Sequence, residues 1–533
     1  MRHILYVIGV TAFLILNSYS LSAQDTTFNR VVTVERDYKP EINQATIIPL
    51  QPAFLQVEVD PNPIIYSTYS YPVSIGYNLH PLQAAETRFN PPTPSYGLLD
   101  GAIGHHNTHL DFLYQLRETP NFLADIYAKH NAYWGNNTLS NSKIGMQGSY
   151  YFNKSKLYFG INGDNEAYSI YTQDKLQSLY NAAAYIGFSS DSQTKIQYNI
   201  QVGYNAFFTP INIEHQLHSN LDLYWKQDAH KGGVRVYIQN NMYANNDAIH
   251  NIHLQPFYAF EKEKIRLEVG MNLDMNIGTE KMLSATENLS FAPSPHLNLK
   301  WLVIPQIFNI HTEIEGHFAK GTIEEALRSN RYFNIEELAK DRKSKTYTPF
   351  AANIGFIVHP LRTMILDVYG GYSLYKNDYT MVAEINNNDL TTYSYTLNDY
   401  QRGHIGTTLN YHFRDIIKLK AGGNYYFWKN LSTDMLVYDR PDWDASLHVD
   451  VNINQKWSIY TDNLLEGKRL AHTTQQDEEL PMVINLNVGG KYSINRWLNV
   501  YLQFGNYLNR THYYFYKYPT QGFHFLAGVK YAF

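Results

Sequence analysis

Apolar and polar residues alternate strictly in "KIRLEVGMNLDMNI" (Lys264–Ile277). Ile265, Leu267, Val269, Met271, Leu273, Met275 and Ile277 are apolar, while Arg266, Glu268, Gly270, Asn272, Asp274 and Asn276 lie between them. Successive side chains of a strand point to opposite faces, so this period predicts a strand with one apolar face and one ionic face. Strands of soluble proteins usually run about five or six residues, whereas a tilted strand crosses a bilayer in roughly 9–11. The segment is long enough to cross.

The pattern recurs. "KIQYNIQVGYNA" (Lys195–Ala206), "IKLKAGGNYYFW" (Ile417–Trp428), "DASLHVDVNIN" (Asp444–Asn454) and "VINLNVGGKYSI" (Val483–Ile494) all alternate. Their connections alternate too, in length. Short ones are Asn153–Lys156, Ser190–Thr194, Glu261–Lys264, Phe413–Asp415, Asn454–Lys456 and Ile494–Arg496. Long ones are Ala319–Ser344, Lys376–Asp399, Lys429–Asp442, Ala471–Leu480 and Asn509–Gly522. Short turns at one end and long loops at the other are the arrangement of a transmembrane barrel. The expected fold is therefore an all-β antiparallel barrel over residues 95–533, of about 22 strands (range roughly 16–24). Alternation is poor before Trp134 and between Gly278 and Ile307.

On this reading the apolar faces meet lipid and the polar faces line a wet lumen. Arg266, Glu268, Asp274, Lys418, Lys420, His448, Asp450, Lys491 and Lys530 are then lumen-facing charges. Turning a basic residue outward at mid-bilayer costs on the order of 2–4 kcal/mol, which fixes the register. Within loop 319–344, Thr322 and Asn334 each precede a glutamate, Glu325 or Glu337, by three places. That spacing predicts two short capped helices, a lid over the outer end.

The ends of the chain read differently. Residues 1–23 have the layout of a secretory signal: Arg2, the apolar run "ILYVIGVTAFLIL", and "SLSA" with cleavage expected near Ala23. Ten of the 21 prolines fall between Gln24 and Pro94. Proline lacks the donor a central strand needs, so residues 24–94 read as an extended arm, lying in the periplasm or folded back into the lumen. The final run "FHFLAGVKYAF" is a closing strand that ends on Phe533, of the kind the barrel-insertion machinery accepts.

Composition narrows the chemistry. Aromatic residues make up 15% of the 533 and charged ones 17%, with 46 tyrosines and no cysteine. A net charge of −5 leaves no nucleic-acid footprint. Nucleophile-elbow, His-Glu-x-x-His and phosphate-loop elements are absent, so no catalytic, cofactor or metal residues are assigned and an enzyme is not expected. His105, His106, His109 and Asp111 cluster at the first hairpin, and His448 lies near Asp444 and Asp450. Exposed loop residues and lumenal networks account for both groups. The loop "THYYFYKYP" offers Tyr513, Tyr514, Phe515, Tyr516 and Tyr518 as aromatics for a ligand or partner at the outer mouth, or for an interfacial girdle.

The chain end "FGNYLNRTHYYFYKYPTQGFHFLAGVKYAF" resembles the last hairpin of TonB-dependent outer-membrane receptors: an "N-L-N-R" element, an aromatic loop with Tyr518-Pro519, and a closing strand ending in Phe533. The resemblance implies an integral barrel in the outer membrane, held in lipid, acting in envelope transport or as a receptor-like channel. Val31, Val32, Thr33 and Val34 are similar to a TonB-contacting box. Residues 35–94 leave no room for that family's plug, and "V-E-R-x-Y-x-P" (Val34–Pro40) is similar to the start of plug-less receptor-like barrels. The alternative is a non-transporting structural subunit that docks other envelope proteins.

Overall fold

The computed structural model describes residues 97–533, apart from 120, 136–137, 171–172, 191–193, 244–247, 279–290, 319–320, 341–345, 387–388 and 433–435. The expected signal (1–23), the arm (24–94) and Val31–Val34 lie outside the described residues.

Strands follow one another in chain order. They begin with β1 (Gly97–Gly104), β2 (Asn107–Thr119), β3 (Phe122–Tyr133), β4 (Leu139–Tyr151), β5 (Ser155–Ile170) and β6 (Gln173–Ser190). Next come β7 (Ile196–Phe208), β8 (Ile213–Gln227), β9 (His230–Tyr243), β10 (Ala248–Lys262), β11 (Ile265–Gly278), β12 (Phe291–Ile304) and β13 (Phe308–Phe318). After helices α1 (Ile323–Ser329) and α2 (Ile335–Lys340) follow β14 (Tyr347–Leu361), β15 (Met364–Asn386), β16 (Asp389–Phe413), β17 (Ile417–Asn430), β18 (Trp443–Asn452) and β19 (Trp457–Glu466). The chain ends with β20 (Arg469–Thr473), β21 (Glu478–Leu480), β22 (Val483–Ser493), β23 (Leu498–Gly505), β24 (Tyr513–Phe515), β25 (Tyr518–Pro519) and β26 (His524–Ala532).

β1–β19, β22, β23 and β26 pair antiparallel with their neighbours, and β1 pairs with β26. Backbone bonds between Gly97 and Phe533, at 2.8 and 3.0 Å, complete the closure. The result is a closed barrel of 22 strands, which leaves no unpaired edge. β20–β21 and β24–β25 are small hairpins in the connections.

Along β11, Val269, Met271 and Ile277 are exposed on the outer wall, while Asn272 and Asp274 are buried on the inner side. The alternation is thus a division between outside and inside. Inward glycines are packed by tyrosine rings. A Cβ at Gly489 would sit 2.3 Å from Tyr460 Cζ, and one at Gly528 would sit 2.3 Å from Tyr501 Cζ. At the short-turn end, Tyr150, Phe152, Phe188 and Tyr198 form a chain of ring contacts, the first layer of an aromatic belt.

The weakly alternating stretches are strands nonetheless. Pro293 and Pro295 interrupt β12, but there it pairs only with β11; pairing with β13 starts at Leu297. The missing N–H groups cost the sheet nothing on that side. The segment Lys376–Asp399, expected as a long loop, is instead the upper part of β15 and β16. After a register shift at Tyr375/Asp378 the two strands keep pairing up to Asn386↔Asp389, so this hairpin rises past its neighbours. Its Tyr, Thr and Val content favours that extension.

Candidate functional site at the long-loop mouth

The inner wall comes first, because it frames what the mouth closes over. Arg235 pairs with Glu268 at 2.7 Å, and His296 contacts the same carboxylate at 3.0 Å. His253 holds Asp274 at 2.7 Å, and His448 holds Asp450 at 3.0 Å. Lys530 lies 3.6 Å from Asp100, whose carboxylate accepts the Tyr501 hydroxyl at 2.6 Å. Lys418 stands opposite Asp450 and Lys420 opposite His448 across β17–β18, and Lys491 lies opposite Tyr501 across β22–β23. Arg266 sits at the short-turn end, bound to Glu261 at 2.7 Å. The wall is a set of short pairs, not a block of one sign.

Of the first-hairpin histidines, His105 and His106 lie ring to ring at 3.8 Å, but His109 and Asp111 turn to other partners. His109 bonds to Asn131 at 2.6 Å and Asp111 pairs with Lys129 at 3.2 Å. Groups that could hold a metal ion are absent among the described residues.

At the long-loop end the connection between β13 and β14 turns into the mouth. The Thr322 hydroxyl accepts the Glu325 N–H at 3.0 Å, and the Glu325 carboxylate accepts the Gly321 N–H at 3.0 Å. That is a capped start for α1. Asn334 accepts the N–H groups of Glu336 and Glu337 at 3.0 and 3.4 Å and so starts α2.

Charged side chains hold this segment to the inner wall. Glu214 of β8 accepts the Glu324 N–H at 3.0 Å and the Tyr243 hydroxyl at 2.8 Å. Glu324 in turn accepts from Asn205 at 2.8 Å and from Gln216 at 2.9 Å. Arg328 reaches Asp164 at 3.2 Å, and Arg331 reaches Glu166 at 2.5 Å with both side chains largely buried. The carboxylates around Arg328 raise its pKa further despite its burial, so it stays a cation.

Between these clasps lies an apolar core. Ile323, Ala326, Leu327, Phe333, Ile335 and Leu338 of the loop pack with Tyr168, Phe207, Tyr243 and Ile249 from the upper wall. Met381, Ala383 and Tyr393 of the tall hairpin join them. Each buried Ile, Leu, Phe or Met among them contributes about 1.5–3 kcal/mol, so the segment is a small folded unit seated in the mouth.

The aromatic loop of the chain end enters the same core. Phe515 and Tyr518 are buried, and the Tyr332 ring stacks on Tyr518 with centroids 3.5 Å apart. The Tyr393 hydroxyl donates to the Tyr516 carbonyl at 2.8 Å. Tyr514 and Tyr516 are half-buried against this core, and Arg469 donates to the Tyr513 carbonyl at 3.1 Å. Four of the five aromatics, Tyr514, Phe515, Tyr516 and Tyr518, therefore pack into the closure, whereas Tyr513 contributes its backbone carbonyl.

The remaining loops brace it. β20 runs parallel to β15, pairing His472 with Val382. Arg440 is buried, pairs with Asp378 at 2.6 Å, and lies 4.5 Å from the Tyr400 ring centre and 4.6 Å from that of Trp428. Burial pushes the carboxyl of its neighbour Asp439 up to about 7, although Arg469 and Arg440 lie near. Glu214, Glu324, Arg328, Arg331 and Tyr332 carry the closure, and no sequence signal marks them. Arg328 also bonds Glu324 one helical turn away at 2.8 Å, but the contacts that tie the segment to the wall span more than a hundred residues or reach another loop.

No family model matches the chain, and no curated protein does. Solved structures match in fold. The copper transporter OprC superposes with a TM-score of 0.65 at 11% identity, over 83% of this chain and 80% of that one. The siderophore receptor PirA from Acinetobacter baumannii gives 0.63 at 9% identity, over 83% and 81%. A variant of the ferric enterobactin receptor PfeA from Pseudomonas aeruginosa gives 0.62 at 10% identity, over 82% and 81%. The fold is the 22-stranded barrel of TonB-dependent receptors.

Proposed function

We propose that the chain is an integral outer-membrane barrel that works as a receptor-like transport channel, without a full plug, and is shut on the outside by its own loops. Its long loops face the cell exterior and its short turns the periplasm, as in other barrels. The observation that carries this reading is the apolar core joining α1, α2 and the last hairpin above a polar lumen. An open lumen of this strand number would leak, and the folded loops supply a seal that does not depend on residues 24–94. The solute exceeds what general porins pass, enters once the loop segment lifts, and meets the paired carboxylates, histidines and lysines of the wall. Val31, Val32, Thr33 and Val34 touch an energising partner of the TonB kind. Insertion relies on the barrel-assembly machinery reading the strand that ends in Phe533.

Conductance across planar lipid bilayers tests the closure. The full chain should hold little steady current, and a chain with residues 322–340 replaced by a Gly/Ser linker should open in large steps. If the replaced chain stays shut, these loops are not the seal. The alternative of a docking subunit that transports nothing then becomes the better reading.

A further inference from the structure

The outward face of β3–β5 carries an unusual row. Register sets Leu110 opposite His130, His130 opposite Ser142, Ser142 opposite Asn165, and Asn165 opposite Tyr180. Ile144 and Tyr180 on this face are 64% and 54% exposed, which fixes it as the outer wall. His130 Nδ1 and Ser142 Oγ lie 2.8 Å apart. One row closer to the short turns come Ala128, Ile144, Gly163 and Ala182, mostly small.

A hollow of about 540 Å³ lies over these two rows, and one of about 800 Å³ at the β1–β26 seam shares Leu110 and His130 with it. The chain does not fill the recess at Gly163. A Cβ there would meet nothing nearer than the Asn181 carbonyl at 3.6 Å, in contrast to the crowded inward glycines. A mid-strand glycine weakens pairing and commonly marks the close approach of something else.

Depth indicates what approaches. Leu157 is level with the aromatics Tyr150 and Phe188 of the short-turn belt, and Asn165 lies eight positions further along β5. At about 3.3 Å per residue and a tilt near 45°, that is roughly 19 Å, inside an apolar band about 25 Å tall. The small residues thus lie among acyl chains and the polar row near the outer head groups. Imidazole, hydroxyl and amide suit neutral hydroxyls. The row holds no lysine or arginine for a phosphate: of the two lysines beside the hollow, Lys129 pairs with Asp111 and Lys143 lies over the Tyr127 ring, both on the lumen side.

We propose that this hollow binds one glycolipid of the outer leaflet, with an acyl chain over Ala128 and Gly163 and sugar hydroxyls at His130, Ser142 and Asn165. The proposal rests on the outer-membrane reading above. The test is native mass spectrometry of the full chain, purified in mild detergent, after adding rough lipopolysaccharide or, separately, phosphatidylethanolamine. The wild type should keep one lipopolysaccharide and release phosphatidylethanolamine. Gly163→Leu, and the pair His130→Leu with Asn165→Leu, should each retain about tenfold less, the equivalent of roughly one or two hydrogen bonds. Gly490→Leu, which fills an outward glycine on β22, should bind as the wild type does. Equal retention by Gly163→Leu, equal retention of phosphatidylethanolamine, or a co-purified polypeptide in place of lipid would overturn it. Membrane fractionation and heat-modifiable migration are read on every sample. A wild type outside the outer membrane defeats the underlying reading, whereas a correctly placed barrel that keeps no lipid defeats only this proposal.

Discussion

The ring of Tyr332, just past α1, lies on the ring of Tyr518 in the last hairpin at 3.5 Å between centroids, with planes inclined by 19°. Two loops some 190 residues apart in sequence are joined there, over the mouth of one barrel. Tyr332 is partly buried against the apolar core, and burial pushes its hydroxyl up to about 12. Truncating it leaves a cavity where the two loops meet. Tyr332→Ala should weaken the closed loop unit by about 3–5 kcal/mol while leaving the barrel wall intact. Limited proteolysis of whole cells should then cut within 319–345 at least tenfold faster, with unchanged heat-modifiable migration. A variant cut no faster than the wild type would show that the contact is incidental.

The Asp439 carboxyl makes the neighbouring loop sensitive to pH. It holds its proton up to about 7 in the folded chain, against an ordinary value of 3.8. A group raised in this way stabilises fully below the unfolded value, and its contribution is lost as pH rises through about 7. Amide exchange in 431–442, corrected for its intrinsic pH dependence, should therefore accelerate between about pH 4 and 7 and level off above that. Asp439→Asn should flatten that rise. Asn tolerates the left-handed backbone at this position, where φ is 59°, so the substitution is conservative. An unchanged slope in the variant would assign the effect elsewhere.

Neighbouring glycines in β22 should behave in opposite ways. A methyl group at Gly489 would strike the Tyr460 ring at 2.3 Å, whereas one at Gly490 meets only the Ser458 carbonyl at 3.9 Å. Gly489→Ala should cost about 1–3 kcal/mol by overpacking and lower the temperature at which the folded band converts on a gel. Gly490→Ala should leave that temperature nearly unchanged. Equal shifts would mean that backbone freedom, not ring packing, decides both positions.

The wall was readable from the sequence because a period of two over long runs has few other solutions. Lys264–Ile277 announced β11 almost to the residue, and the repeated alternation announced a closed antiparallel barrel. β12 hid because Pro293 and Pro295 look like breakers until one side of the strand is seen to be unpaired there. The tall hairpin hid because its charged and Asn-rich tip resembles a loop, while its pairing is supplied by tertiary context. Thr322 and Asn334 signalled their helices locally. What those helices rest on was not legible: Glu214, Glu166 and Tyr518 are joined to the loop by folding alone. The aromatics Tyr513–Tyr518 were visible as a cluster, but nothing in the sequence said that Tyr514, Phe515, Tyr516 and Tyr518 pack into the mouth.

Because the chain has no cysteine, a single introduced one reports its own surroundings. Lys420 faces the lumen of β17, and Leu419 beside it faces outward. Lys420→Cys should resist a bulky membrane-impermeant maleimide on intact cells, yet react readily once residues 322–340 are replaced by a Gly/Ser linker. Leu419→Cys should stay unlabelled in both backgrounds. Labelling of Lys420→Cys in the unaltered loop background as fast as at exposed Leu436→Cys would mean that the mouth is open, and the closed barrel described here would be wrong.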